Sequence, residues 1–216
     1  MTALYSEHLF VIIGTSGGVG SGKSTVAGMI AEALKGEHIN ADTIVSNLLQ
    51  CDKVVKKVED KFGPAYIGKQ EQLDRKAIAS DILSNKTKRK QLENILHPLV
   101  RSEIKKILSE NQRSYYIFDI PLLHEGGLAS ACDFIVFIET PKELRSQRAR
   151  ERHGWSKEEW ENREKMQWNI SSKRSEADVI ISNESSLDAM TEQIEQLVPR
   201  LKKIKPRSLS VRLPHL

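Results

Sequence analysis

The chain is short of cysteine and has no long apolar run, and each shortage narrows what it can be. Its two cysteines, Cys51 and Cys132, lie far apart with no CxxC spacing, so a reduced, cytoplasmic protein with two packing cysteines is expected. No segment approaches the ~20 apolar residues of a membrane helix. The apolar stretch at residues 9–13 is too short for a secretory signal and follows Glu7. No membrane partner is expected. The net charge of +4 and pI near 9.0 are mildly basic, which suits an anionic ligand without demanding nucleic acid.

With 216 residues, one α/β core with insertions is expected rather than two full domains. Residues 9–14 (LFVIIG) read as a buried strand, and residues 23–34 carry apolar positions at helical spacing, with Gly36 as the stop. Residues 37–42 form a short second strand. Residues 43–113 read as helical, interrupted at residues 62–70 and at His97–Pro98, because Pro98 fits only the first turn of a helix. Third, fourth and fifth strands follow at residues 114–121, 132–140 and 177–183. Pro141 opens a charged helix to about His153, SKEE at residues 156–159 matches a capping box, and an amphipathic helix spans residues 186–203.

Strands alternating with helices imply a parallel sheet covered on both faces. The expected organisation is a nucleotide-binding core (9–43, 114–140 and 176–204), an inserted helical substrate domain (44–113), a lid (141–175) and a basic tail (205–216). The tail is aperiodic and is expected to be frayed and flexible rather than a binding arm.

The segment GGVGSGKS at residues 17–24 fits G-x-x-x-x-G-K-[ST] and sits between a predicted strand and a predicted helix. Glycines let successive backbone N–H groups converge on a phosphate without Cβ clashes, and the following helix adds its positive end. Gly18, Val19, Gly20, Ser21, Gly22, Lys23, Ser24 and Thr25 are therefore the expected ATP-binding residues. Lys23 would reach the β- and γ-phosphates, and the Ser24 hydroxyl would ligate Mg²⁺. The base-reading N-K-x-D motif of a GTPase is missing, since Asn183 is followed by Glu184-Ser185-Ser186. No D-x-x-G switch follows the third strand, where DIPLLHEG stands instead.

A small kinase also needs a carboxylate at the acceptor hydroxyl and cations on the transferring phosphoryl. Asp42 ends the second strand and suits the first role, though an aspartate there equally suits a helix N-cap. Arg145, Arg148 and Arg152 fall on one helix face, which could meet an anion or be a solvated face balanced by Glu143 and Glu151. Asp119 ends an apolar strand, where it could hold Mg²⁺ directly or through water, or form the turn before Pro121.

The residues resemble the bacterial dephospho-coenzyme A kinase family from about residue 10 to 198. GGVGSGKSTVA is similar to its phosphate loop and NADTIVSNLL to its D-A-D segment. LDRKAIA and LENILHPLV are similar to its substrate-domain markers, FDIPLLHE to its D-x-P-L-L-x-E segment, and RARERHG, NREKMQ and EADVIISN to its lid and last strand. The resemblance implies a three-layer P-loop kinase fold, an α/β architecture with a five-stranded parallel sheet, a helical insertion and a helical lid. It implies transfer of the ATP γ-phosphoryl to the ribose 3′-hydroxyl of dephospho-coenzyme A, with Mg²⁺, in a monomer or weak homo-oligomer.

Carried over by position, Asp42 is similar to the general base. Lys23, Arg148 and Arg152 match the cations, and Asn183 matches the start of the adenine-contacting loop. Leu73, Asp74, Arg75, His97, Pro98, Pro121 and Leu122 match substrate-side positions, with His97 equally suited to fixing a break before Pro98. Two residues depart from the family pattern. Asn40 replaces the first aspartate of D-A-D, and His124 replaces an apolar residue, which alters the pocket wall.

Overall fold

A computed structural model describes residues 8–68, 73–74, 77–78, 81 and 85–216. The chain divides into two compact units, one built from the chain up to Asn40 with Leu108–Leu216, the other from Ala41–Ile107. The sequence places the first boundary after residue 43, whereas the structure places it after Asn40, so Asp42 belongs to the helical unit.

The first unit begins with β1 (Leu9–Gly17) and α1 (Lys23–Leu34), followed by β2 (Glu37–Asn40). β1 runs three residues beyond the expected strand, because Thr15, Ser16 and Gly17 keep pairing with β4. Lys35, in the left-handed region, caps α1 one residue before the expected glycine stop, and the Gly36 N–H returns to Ala31. The helical unit then supplies α2 (Ala41–Leu48), α3 (Asp52–Phe62) and α4 (Lys86–Glu110), whose last turn re-enters the first unit. From there the chain continues through β3 (Tyr115–Asp119), β4 (Phe134–Glu139), α5 (Lys142–His153), α6 (Lys157–Lys165) and α7 (Ile170–Ser175). It closes with β5 (Val179–Ser182), α8 (Leu187–Leu201), β6 (Arg207–Ser208) and α9 (Leu209–Arg212).

The sheet order is β2-β3-β1-β4-β5, all parallel, with β6 antiparallel to the start of β1. Alternation along β1 splits its side chains between two layers. Val11 and Ile13 join Val26 and Ile30 of α1 and Met190, Ile194 and Leu201 of α8 in one apolar cluster. Phe10, on the opposite face, meets Tyr116 edge-on at 5.0 Å. The sheet register sets the site directly: Thr15 and Asn40 flank Asp119 on its two sides.

Two expectations are corrected here. Residues 205–216 are folded: Arg212 is fully buried, donates to the carbonyls of Ala131 and Phe10, and pairs with Asp133, which also takes Arg207. Two of the basic residues that suggested a solvated tail, Arg207 and Arg212, are neutralised by a carboxylate far away in sequence. The helix around His97–Pro98 is not interrupted either, since α4 runs through Pro98. Pro98 removes one N–H from the ladder, and a single lost bond is tolerated within a helix of 25 residues.

The helical unit packs Val54, Val58, Tyr66, Leu73, Ile78, Leu92 and Leu96 together. Asp81 ties it further, accepting from Lys88 at 2.6 Å and from the Tyr66 hydroxyl. Among the described residues no helix is long and apolar enough to cross a membrane.

Candidate active site

The loop between β1 and α1 takes its shape from glycines where no other residue fits. Gly20 has φ of 82°, and a Cβ there would lie 2.4 Å from the Arg145 carbonyl oxygen; Gly22 has φ of 90°, and a Cβ would lie 2.3 Å from Asn183 Nδ2. Both distances are shorter than any real contact, so the loop closes against α5 and the residue after β5 only because these side chains are hydrogen.

Lys23, first residue of α1, folds back so that Nζ donates to the carbonyls of Gly17 (3.1 Å) and Gly18 (2.8 Å). Burial pushes its pKa from 10.5 down to about 8, and the charge of Lys173 adds to the fall against opposing pulls from Asp119 and Glu164. An ammonium so destabilised gains most from an arriving anion.

Asp119 lies at the end of β3, 3% exposed. Burial alone would raise its carboxyl, but the facing His38 and Ser24 side chains and the Lys23 charge hold it below the ordinary aspartate value. Asn40 donates to it at 2.5 Å, and His38 Nε2 lies 3.5 Å away. Asn40 thus replaces a like charge with a donor. The Ser24 hydroxyl and the Asp119 carboxylate meet as hard oxygen donors, the chemistry that Mg²⁺ takes while keeping waters and phosphate oxygens for its remaining positions.

The arginines of α5 separate. Arg145 is buried, donating to the Thr140 carbonyl and pairing with Glu164 of α6 at 2.5 Å, so its charge is already satisfied within the fold. The physical reason is its position one turn into α5, directly over Gly18 and Val19. Glu164 also accepts from the Val19 N–H (3.0 Å), and the buried Trp160 donates to the Val19 carbonyl (3.1 Å). Arg148 donates to the Asn183 carbonyl (3.1 Å), while Arg152 is exposed in the last turn. Asn183 is buried and donates to the Ser21 carbonyl (2.8 Å), so the structure brings Asn183, Arg148 and the loop together.

In the helical unit, Asp42 is exposed in the first turn of α2, one residue inside the helix and past the cap position. Leu73 is part of the apolar cluster, and Asp74 accepts from the Ala77 N–H. Both therefore have structural occupations. Arg75 lies outside the described residues. His97 and Pro98 are exposed on α4, and with no break to fix, the structural role considered for His97 disappears. Pro121 and Leu122 sit half-buried in the turn after β3.

Sequence reasoning missed Lys173 as a site residue. It is 1% exposed on α7, its ammonium held by Glu125 and Gln167, each at 2.9 Å. Its charge acts on Lys23 from a distant part of the sequence, which no local pattern shows.

A sequence model of "CoaE: Dephospho-CoA kinase" matches residues 11–189. The chain belongs to the dephospho-CoA kinase family. It is an enzyme of the kinase class, and the family's function is phosphorylation of dephospho-CoA to CoA at the end of CoA biosynthesis. It is 36% identical over 201 residues to the dephospho-CoA kinase of Wolinella succinogenes, covering 91% of this chain and 98% of that one. A crystal structure from Thermus thermophilus superposes with a TM-score of 0.76 at 29% identity, covering 89% and 98% of the two chains. The dephospho-CoA kinase of Campylobacter jejuni does so with 0.59 at 28% identity, covering 88% and 96%. The P-loop kinase fold expected for this family is therefore the observed one, with β6 as an addition to the five parallel strands.

Proposed function

We propose that this chain transfers the γ-phosphoryl of Mg·ATP to the ribose 3′-hydroxyl of dephospho-CoA. The observation that carries the reading is the half-buried Lys23 ammonium, held on loop carbonyls with a depressed pKa beside the Ser24–Asp119 pair. Converging loop N–H groups and the N-terminus of α1 bind the triphosphate. Lys23 moves its ammonium from the carbonyls of Gly17 and Gly18 to the β- and γ-oxygens. Ser24 and Asp119 would hold Mg²⁺, which when bound neutralises charge between those oxygens. Arg148 and Arg152 add positive charge as residues 141–175 close like a lid over the nucleotide and exclude water. Asn183 sits where the base would rest. In the helical unit, Asp42 takes the proton from the 3′-hydroxyl as it attacks, and Leu73, Asp74, Arg75, His97 and Pro98, with Pro121 and Leu122, belong to the acceptor side. The acceptor is a small molecule, and the setting is the cytoplasm.

The test is ADP release from Mg·ATP with dephospho-CoA, AMP, nucleosides and single-stranded DNA offered in parallel. Turnover with dephospho-CoA alone, giving a product phosphorylated at the ribose 3′ position, is expected; turnover with another acceptor instead overturns the acceptor assignment. Asp42→Asn is expected to lower kcat by about 10²–10⁴ with ATP binding retained, the usual worth of a general base. Near-normal turnover would leave Asp42 as a favourable charge at the start of α2 and nothing more.

A further inference from the structure

His124 occupies the position where the sequence departs from an apolar pattern, and its ring is buried, with 1% of the side chain exposed. Nε2 lies 3.0 Å from Ser16 Oγ, and Nδ1 lies 3.1 Å from Glu176 Oε2. Trp168 stacks on the ring at 5.7 Å. An ionised carboxylate only accepts, so in the neutral ring Nδ1–H donates to Glu176, and Nε2 accepts from the Ser16 hydroxyl.

The two ends of this bridge matter for different reasons. Ser16 is 3% exposed and precedes Gly17, whose carbonyl seats the Lys23 ammonium. Glu176 caps α7, the helix that carries Lys173, and the Lys173 charge is felt at Lys23. An apolar residue at 124 would fill the space but leave the Ser16 hydroxyl without this partner.

We infer that His124 is a positioning residue for ATP: through Ser16 and Glu176 it ties the backbone that seats Lys23 to the end of α7, so that the Lys23 ammonium is held in place for the phosphates. This rests on the assignment of residues 17–25 as the ATP site.

The test is a double-mutant cycle of Ser16→Ala and Glu176→Ala, read by calorimetric ATP affinity and by kcat and KM for each substrate. Ser16 and Glu176 are joined here through the imidazole, so coupling between them reports the bridge. Each single variant is expected to weaken ATP binding roughly three- to tenfold, and the double variant no more than the worse single. The KM for dephospho-CoA should hold. In a His124→Leu background both substitutions should become neutral, and His124→Gln, which keeps a donor and an acceptor, should restore part of the affinity.

Effects of the two single variants that simply multiply, or an unchanged ATP affinity, overturn the inference. Should His124→Leu not fold, the cycle in the native background decides alone. Calorimetry needs no acceptor, so a wild-type protein that binds ATP but ignores dephospho-CoA counts against the proposed function and leaves this test readable.

Discussion

Two cations in the first unit, the buried Arg212 and the half-buried Lys23, are treated in opposite ways. Arg212 is neutralised in place: Asp133 pairs with it, two carbonyls accept from it, and its guanidinium lies 5.0 Å over the Phe10 ring. Lys23 has backbone carbonyls alone, and no carboxylate among the described residues stands within ion-pair distance of it. A charge that holds the fold together is satisfied before any ligand arrives, whereas a charge meant for a ligand is left partly unsatisfied. Lys173 stands between these extremes, paired with Glu125 yet close enough to Lys23 to be felt.

The comparison breaks most visibly at Asp133. Asp133→Ala strands Arg212 in the interior and frees the Ile12 N–H that donates to the same carboxylate at 2.8 Å. A loss of about 3–5 kcal/mol is expected, measured by denaturant unfolding. Pairing Asp133→Leu with Arg212→Met should recover part of it, because no buried unpaired charge then remains and Arg207, 38% exposed, can turn to solvent. Lys23→Ala should do the reverse: turnover falls about 10²–10³-fold, while the melting temperature holds or rises as an uncompensated charge disappears. A melting temperature that drops sharply instead would make Lys23 a structural cation like Arg212.

The smallest effect sharpens the contrast through pH. With Lys23 at about 8 rather than 10.5 in the free protein, kcat/KM for ATP should decline above about pH 8. Between about pH 8 and 10.5 the unfolded lysine binds a proton that the folded one has released, so this residue makes stability rise with pH there. Below pH 8 both states hold the proton and the full cost of burying the charge is present. Subtracting the stability profile of Lys23→Ala from that of the native protein isolates the contribution; a flat difference across this window contradicts it.

What the sequence made legible was local. α1 starts and ends where its periodicity places it, because the glycine loop before it and the apolar spacing within it are both short-range signals. The capping box at Ser156 and Glu159 forms with both reciprocal bonds. What stayed hidden depends on residues that meet across the fold. Arg145 reads as one of three equivalent arginines until Glu164 and Val19 arrive from elsewhere in the chain. Asn40 reads as a lost charge until β3 brings Asp119 alongside. Pro98 reads as a break, because sequence shows the missing N–H and not the packing on either side that keeps the helix whole.

The pairing of Phe10 with Arg207, and the bond from Arg212 to the Phe10 carbonyl across 202 positions, also bears on how the protein is made. During synthesis the strand that leads into the phosphate loop is made 202 positions before the arginine that holds it. Until Arg212 leaves the ribosome, Asp133 is a carboxylate heading inward without its cation. Arg212 follows all five parallel strands of the described sheet, so the pairing of Asp133 waits for a segment made after them.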